Sequence, residues 1–360
     1  MDFKLSIEEI FSLISTNGDV KTYIVEGPMG SGKSSLVDMA RERLGAGAYH
    51  YHTVDCTQLD VGDVTIPDVD REAEVVRHLP NVLLAGDGKK PVFLNLDEIG
   101  KAPRPVQNAL LPVMLERRVG AVKLPPGSIV FGCTNLGAEG VGDLFQPHAR
   151  NRVSFVRMRN ATNTEWIQWA MRHNVPPVML AWANENPKLF HSFEDYPNLS
   201  TSEQKDIFFF HPQMQQKSFV TLRSMYLASL ELQDDRLKKV NNRNVTLAAI
   251  AGNIGAGAAL NLNAFIELAD KLPSWDTIIT NPEKAPIFNE SPAAIVLTVF
   301  TCASKVTQDT FDAVLKYIRR LPKEVQSMFA TQLAEGRKAG WVAMNQNFTD
   351  WCRENMWVLE

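Results

Sequence analysis

No run in this sequence is both long and apolar enough for a membrane span. The most apolar stretch, Val245–Leu262, contains Asn253, Asn261 and the small-residue block Gly255–Ala259, whereas a span needs about 20 strongly apolar residues. It reads instead as a buried, closely packed helix. The opening residues MDFKLSIEEIF carry Glu8 and Glu9 and no apolar core, so they do not read as a signal peptide. The four cysteines (Cys56, Cys133, Cys302 and Cys352) are widely spaced with no CxxC pair, which excludes a disulfide framework and suits reduced thiols in the cytoplasm. There is no basic excess: the net charge is −4, unlike a dedicated nucleic-acid binder. With 45% hydrophobic and 22% charged residues, a disordered chain is also excluded. Glycine (21) and proline (20) are ordinary in number and no internal repeat is visible. The length, 360 residues, gives room for two or three domains of roughly 150 residues.

Tryptophan is absent before Trp166; all seven lie at or after that position. Before that point short apolar runs alternate with helical patterns. Thr22–Gly27, Tyr51–Cys56, Val92–Leu96, Ser128–Cys133 and Val153–Met158 read as strands, and Ser34–Leu44 and Pro105–Glu116 as helices. That alternation predicts an α/β core with a parallel sheet between helices. After about Asn160 helical patterns take over. The expected division is residues 1–158 as the α/β core and 159–280 as a helical region. A Pro-rich connector, Asn281–Pro292, then leads to a C-terminal helical extension, 281–360.

Gly27-Pro28-Met29-Gly30-Ser31-Gly32-Lys33-Ser34 matches GxxxxGK[ST] in full between a strand and a helix. Such glycines let backbone N–H groups curl around phosphate, and a helix start adds a positive dipole end. The expected cradle is Gly27 through Ser35: Gly27, Pro28, Met29, Gly30, Ser31, Gly32, Lys33, Ser34 and Ser35. Lys33 would reach the β and γ phosphates of ATP, and Ser34 would help hold Mg²⁺. The bland alternative is a glycine-rich turn that only caps a helix. The strand from Val92 ends in Asp97 and Glu98. Asp97 suits the metal shell and Glu98 suits orienting or deprotonating water, whereas alone the pair would read equally well as helix-capping carboxylates.

These motifs resemble the AAA+ ATPases, and within them the MoxR-like branch of bacteria and phages. The resemblance runs through GPMGSGKS, LNLDEIGKAPRPVQNALLPVMLERRVG and LPPGSIVFGCTNLG, then through WIQWAMRHNVPPVMLAWANENPKLF and SFVTLRSMY. It is strongest over residues 20–225. It implies a P-loop NTPase core followed by an all-α lid, with residues 159–280 as that lid. Asn135 matches the polar sensor that holds water near the γ-phosphate. Arg152 matches an arginine finger supplied by a neighbouring subunit, with Arg150 its competitor. Arg223 matches the lid arginine, although Leu222 precedes it where the family has proline. A homo-hexameric ring is implied, along with a chaperone-like action on a protein client or a partner with a von Willebrand factor A domain.

Two segments suggest working surfaces within that resemblance. Leu59–Asp68 sits where such rings place a loop facing the pore, and Arg117–Gly127 resembles the hairpin inserted into the second core helix. The alternative function is a nucleic-acid motor, in which Arg117, Arg118 and Lys123 would touch phosphates. A nucleotide-gated scaffold with little turnover is a third reading, opposed by the intact Lys33, Asp97 and Glu98. Asp60, Asp63, Asp68 and Asp70 lack the spacing of a calcium loop; solvation, and a helix cap at Asp70, are the preferred reading. His50, His52 and Cys56 lack a second ligand pair for zinc and read as residues on or beside an inner strand.

Overall fold

A computed structural model of the protein describes residues 3–137, 147–288, 291–335 and 338–355. The chain divides into two units. One holds residues 1–160 together with 192–194 and 211–213; the other holds 161–191, 195–210 and 214–360.

The first unit is built on a six-stranded sheet. Its strands are β1 (Lys4–Leu5), β2 (Tyr23–Gly27), β3 (His50–Asp55), β6 (Val92–Asp97), β9 (Ile129–Asn135) and β10 (Ser154–Met158), with two hairpins in between. The hairpins are β4 (Thr65–Asp70) with β5 (Val75–Pro80), and β7 (Arg118–Val119) with β8 (Val122–Lys123). The sheet order is β1-β10-β2-β9-β6-β3, every pairing parallel. Side chains alternate between faces along each strand. Ile24, Leu94, Leu96 and Val130 meet Val106, Leu110 and Val113 of helix Arg104–Glu116. On the opposite face Val25, Phe93 and Phe131 meet Ile10 and Ile14 of helix Ile7–Asn17 and Leu36, Val37 and Ala40 of helix Leu36–Leu44. Both faces are covered, which is why the strands are continuously apolar. A parallel α/β core with a phosphate loop after β2 is the P-loop NTPase fold.

At the sheet edge beside β1, Glu194 from the returning segment 192–194 pairs with Lys4 at 3.0 Å and with Arg157. Phe193 meets the His211 ring edge-on at 5.0 Å. The other edge strand carries His50, which binds Asp87 at 2.8 Å, while Cys56 just beyond it is buried. Among the described residues no group of three or more His, Cys, Asp or Glu side chains is placed to hold a metal.

Several local expectations are corrected. The connection between β3 and β6 is interrupted by the β4–β5 ribbon, between the short helices Val61–Val64 and Val82–Ala85. Asn81 closes its base by donating to Asp63 O at 2.7 Å. Residues 59–68 are therefore a short helix and a strand rather than a loop. The Arg117–Gly127 segment does form a hairpin, but it follows helix Arg104–Glu116 and leads into β9. Asp70 caps a hairpin turn, accepting from the Glu72 and Ala73 N–H groups, and starts no helix. Val245–Leu262 is two helices, Arg243–Ile254 and Ala256–Ala269, broken at Gly255 with φ of 85°. A Cβ there would lie 2.8 Å from Ser218 O. Only one side of the pair is buried; Leu260 is exposed.

The second unit is helical. One core gathers Trp166, Trp182, Met225 and Leu262, with the Trp182 indole donating to Asn261 Oδ1 at 2.7 Å. The other gathers Phe311, Tyr317, Phe329 and Trp351. Helix Pro292–Lys305 gives Leu297 and Phe300 to the first and Val299 and Cys302 to the second. The Lys338 ammonium closes that helix, donating to Ala303, Ser304 and Val306 carbonyls at 2.9, 2.7 and 2.6 Å. In the Pro-rich connector Arg320 donates to the carbonyls of Pro282 and Ala285; residues 289 and 290 lie outside the described residues. Among the described residues no helix is long and apolar enough to cross a membrane.

One core residue breaks the apolar pattern. Asn95, in the middle of β6, is 0% exposed, and neither atom of its amide has a hydrogen-bond partner among the described residues. An orphaned buried amide costs about 1–3 kcal/mol. Asn95→Leu, close in volume, is therefore expected to raise unfolding stability by about 1–3 kcal/mol in urea titrations. A loss of stability would mean that an internal water satisfies the amide.

Candidate phosphate and hydrolysis site

The sheet order puts the C-terminal ends of β2, β9 and β6 side by side, where parallel α/β sheets bind ligands. In the register Gly27 lies opposite Asn135, and β9 is flanked on its other side by β6, which ends at Asp97. The Walker-type loop, the candidate sensor and the acidic pair thus meet because of strand order alone.

After Gly27 the chain turns through Gly30 (φ 66°) and Gly32 (φ 95°), conformations that a side chain strains. A 3₁₀ turn, Lys33–Ser35, and then helix Leu36–Leu44 follow. Lys33 is 7% exposed. Its ammonium donates to Gly27 O and Pro28 O at 2.8 Å each and to Asn135 Oδ1 at 2.9 Å. Ser34 Oγ donates to Asp97 Oδ2 at 3.0 Å. Ser35 Oγ donates to Gly32 O at 2.6 Å, a turn-closing bond. Ser31 Oγ is buried with no hydrogen-bond partner among the described residues. Such an orphan in a loop of this form is a place for a ligand oxygen.

Asn135 is a two-ended link. Its Oδ1 accepts from Lys33, and its Nδ2 donates to Glu98 Oε1 at 3.0 Å. The other Glu98 oxygen, Oε2, lies 2.9 Å from the Lys101 ammonium. Glu98 itself holds a left-handed backbone (φ 51°) at the end of β6, and its N–H donates to Asp97 Oδ1 at 3.1 Å. The turn Ile99–Lys101 that follows sits against β9 at Gly132. A Cβ on Gly132 would come within 2.9 Å of Ile99 Cγ2, so glycine is what lets this turn approach the sheet. Cys133 lies beneath the site; burial, and then the Asp97 charge, push its thiol well above the usual range, which leaves it unreactive.

Ser34 and Asp97 offer hard oxygen donors side by side, with room in the coordination shell for water. This is a donor set that suits Mg²⁺. The sequence expectations for Gly27–Ser35, Asp97, Glu98 and Asn135 thus fall on one connected cluster. Arg150 and Arg152 are elsewhere in the first unit, both exposed at the turn before β10, with Arg152 N–H donating to Ala149 O. Arg223 is exposed on helix Leu222–Gln233 of the second unit. Arg117 differs from its expectation as a phosphate contact. Its guanidinium is largely buried and donates to Gly18 O at 2.7 Å, to Thr22 Oγ1 at 2.8 Å and to Met114 O. Arg118 pairs with Glu116 at 2.8 Å. Sequence reasoning passed over Lys101. The available signal was its place three residues after Glu98, one 3₁₀ turn on.

No protein-family model matches the chain, and no curated protein matches it. Solved structures resemble it at low identity. A Cytophaga hutchinsonii protein described as an ATPase shares 16% identity over 46% of this chain and 50% of its own, at a TM-score of 0.35. RuvB from Thermotoga maritima, a variant form, shares 16% over 87% and 86%, at 0.37. NtrX from Brucella abortus in complex with ADP shares 17% over 98% and 67%, at 0.34. The chain spans about half the length of the Cytophaga protein.

Proposed function

We propose that this protein is an ATP hydrolase of the AAA+ type, related to the MoxR-like branch, which assembles as a homo-hexameric ring and remodels a protein partner in a chaperone-like way. The observation that carries the enzymatic part is the continuous chain Lys33–Asn135–Glu98, set beside the Ser34–Asp97 contact.

The residues divide the work in this reading. Backbone N–H groups of Met29–Ser34 and the Lys33 ammonium bind the phosphates of ATP. A bound magnesium ion, held by Ser34 and through water by Asp97, would neutralise phosphate charge. Glu98 orients a water and takes its proton, and Asn135 fixes that carboxylate relative to Lys33. Arg152 of one subunit completes its neighbour's site, and Arg223 supplies the helical lid's contribution. A von Willebrand factor A domain partner or another protein client fits the same reading. The nucleic-acid motor is less supported, because Arg117 spends its guanidinium on backbone carbonyls.

The test is phosphate release from Mg-ATP by the purified chain over a wide range of protein concentration, with and without DNA or RNA at two salt concentrations. Ring formation predicts specific activity that rises with concentration. Arg152→Ala and Lys33→Ala, each inactive alone, should regain part of the activity when mixed, since some interfaces then pair an intact loop with an intact arginine. A monomer by sedimentation with ATP, hydrolysing at constant specific rate, would remove Arg152 from the site. Strong, salt-sensitive stimulation by nucleic acid would favour the motor.

A further inference from the structure

We propose that Lys101 is a positioning residue for hydrolysis, holding the Glu98 carboxylate in the one orientation that presents Oε1 beside Asn135. The inference rests on the ATP hydrolase reading above and names how its water-activating group is aimed.

Three observations carry it. First, the two Glu98 oxygens have different fates: Oε1 accepts from Asn135 Nδ2 at 3.0 Å, while Oε2 is buried, makes no hydrogen bond among the described residues and is ion-paired with the Lys101 ammonium at 2.9 Å. Only Oε1 belongs to the link that runs on to Lys33. Second, the pair is shielded. Both side chains are 28% exposed, so the attraction is less screened than in an open surface pair. Third, Lys101 ends the short turn Ile99–Lys101 that Glu98 caps, and Gly132 lets that turn pack on the sheet. Lys101 therefore moves with Glu98 and acts as a constant restraint.

Without the ammonium, the carboxylate keeps only the Asn135 bond and can swing about its own side-chain torsions. A general base must stay within about 2.6–3.2 Å of the proton it takes, and loss of such positioning lowers turnover without weakening ground-state binding. Lys101 makes no phosphate contact in this scheme.

The experiment uses the full chain as wild type, Lys101→Met, Lys101→Gln and Lys101→Arg, with Lys101→Met also placed in a Glu98→Gln background. Phosphate release gives kcat and KM, a fluorescent ATP analogue gives nucleotide Kd, and circular dichroism reports folding. Lys101→Met and Lys101→Gln are expected to lower kcat about 10-fold with Kd changed less than about twofold, and Lys101→Arg to restore most of the loss. In the Glu98→Gln background, followed in single-turnover assays, Lys101→Met should cost nothing further, because its target is already removed. The proposal is overturned if folded Lys101 variants match or exceed the wild-type kcat, if Kd rises in step with the fall in kcat, or if the same fall appears in the Glu98→Gln background. A wild-type chain that hydrolyses no ATP would overturn the parent reading and this one together; a wild-type ATPase indifferent to Lys101 overturns this one alone.

Discussion

Lys33→Ala is expected to weaken ATP binding more than about 100-fold, because a buried, charge-assisted contact to phosphate disappears with no substitute nearby. Lys33 is 7% exposed, and its ammonium is already placed at the meeting of β2 and β9 by the Gly27, Pro28 and Asn135 oxygens. Phosphate oxygens entering the Gly27–Ser34 turn would compete for the same donor hydrogens with a full negative charge rather than a carbonyl dipole. Alanine takes away the cation and leaves Asn135 Oδ1 with nothing to orient it toward the loop, so both binding and the link to Glu98 suffer. Lys33→Arg should not rescue fully, since a planar guanidinium cannot occupy a pocket shaped for a compact ammonium. Titration calorimetry with Mg-ATP reads the effect directly. Wild-type affinity in a folded Lys33→Ala protein would mean that the loop is only a turn at the head of a helix.

Much of the core was legible because its strands are buried on both faces. Thr22–Gly27, Val92–Leu96 and Ser128–Cys133 are continuous apolar runs, and the observed strands differ from them by no more than two residues at either end. What escaped had weaker patterning. Helix Ile7–Asn17 is marked in the sequence by Ser6 and Glu9, which form a capping box at its start. The β4–β5 ribbon was hidden because both of its faces meet water. Ile66, Val69, Val76 and Leu79 are all exposed, so there is no clean inside-and-outside alternation, and Pro67, Asp68 and Asp70 make it look like a loop. Val245–Leu262 misled in the opposite direction: composition gave its helicity, but the break at Gly255 depends on the approach of Ser218, distant in sequence.

In the site, the contiguous motif was the legible part, since a phosphate loop is a local structure whose residues are neighbours in the chain. Asn135 could be placed by its position after a strand. Its double role, accepting from Lys33 and donating to Glu98, follows only from β9 lying between β2 and β6. Arg117 shows the reverse. As one of two adjacent arginines at a hairpin it looked free for phosphate, yet its left-handed backbone (φ 52°) turns it inward to bind Gly18, Thr22 and Met114. No residue spacing announces that.

Glu98→Gln is expected to bind ATP and hydrolyse it at least about 100-fold more slowly. Glutamine removes the basic oxygen but nearly keeps the volume. It also has one acceptor where glutamate has two. In the wild type Asn135 Nδ2 and the Lys101 ammonium each hold a separate carboxylate oxygen. A glutamine can accept from only one side, and its NH₂ group must face the other donor. The variant therefore loses a base and one of its two restraints at once. Nucleotide binding should survive, because the Lys33 and Ser34 contacts lie on the other side of Asn135 and Asp97. Glu98→Asp keeps the charge and both oxygens on a shorter stem, so it separates the two losses: turnover well above that of Glu98→Gln would assign most of the effect to basicity, and an equal loss would assign it to placement. Equilibrium binding of a fluorescent ATP analogue, paired with single-turnover phosphate release, measures both halves of the expectation. A Glu98→Gln protein that turns over at the wild-type rate would reduce Glu98 to a strand-end carboxylate and remove the chemical step from this cluster.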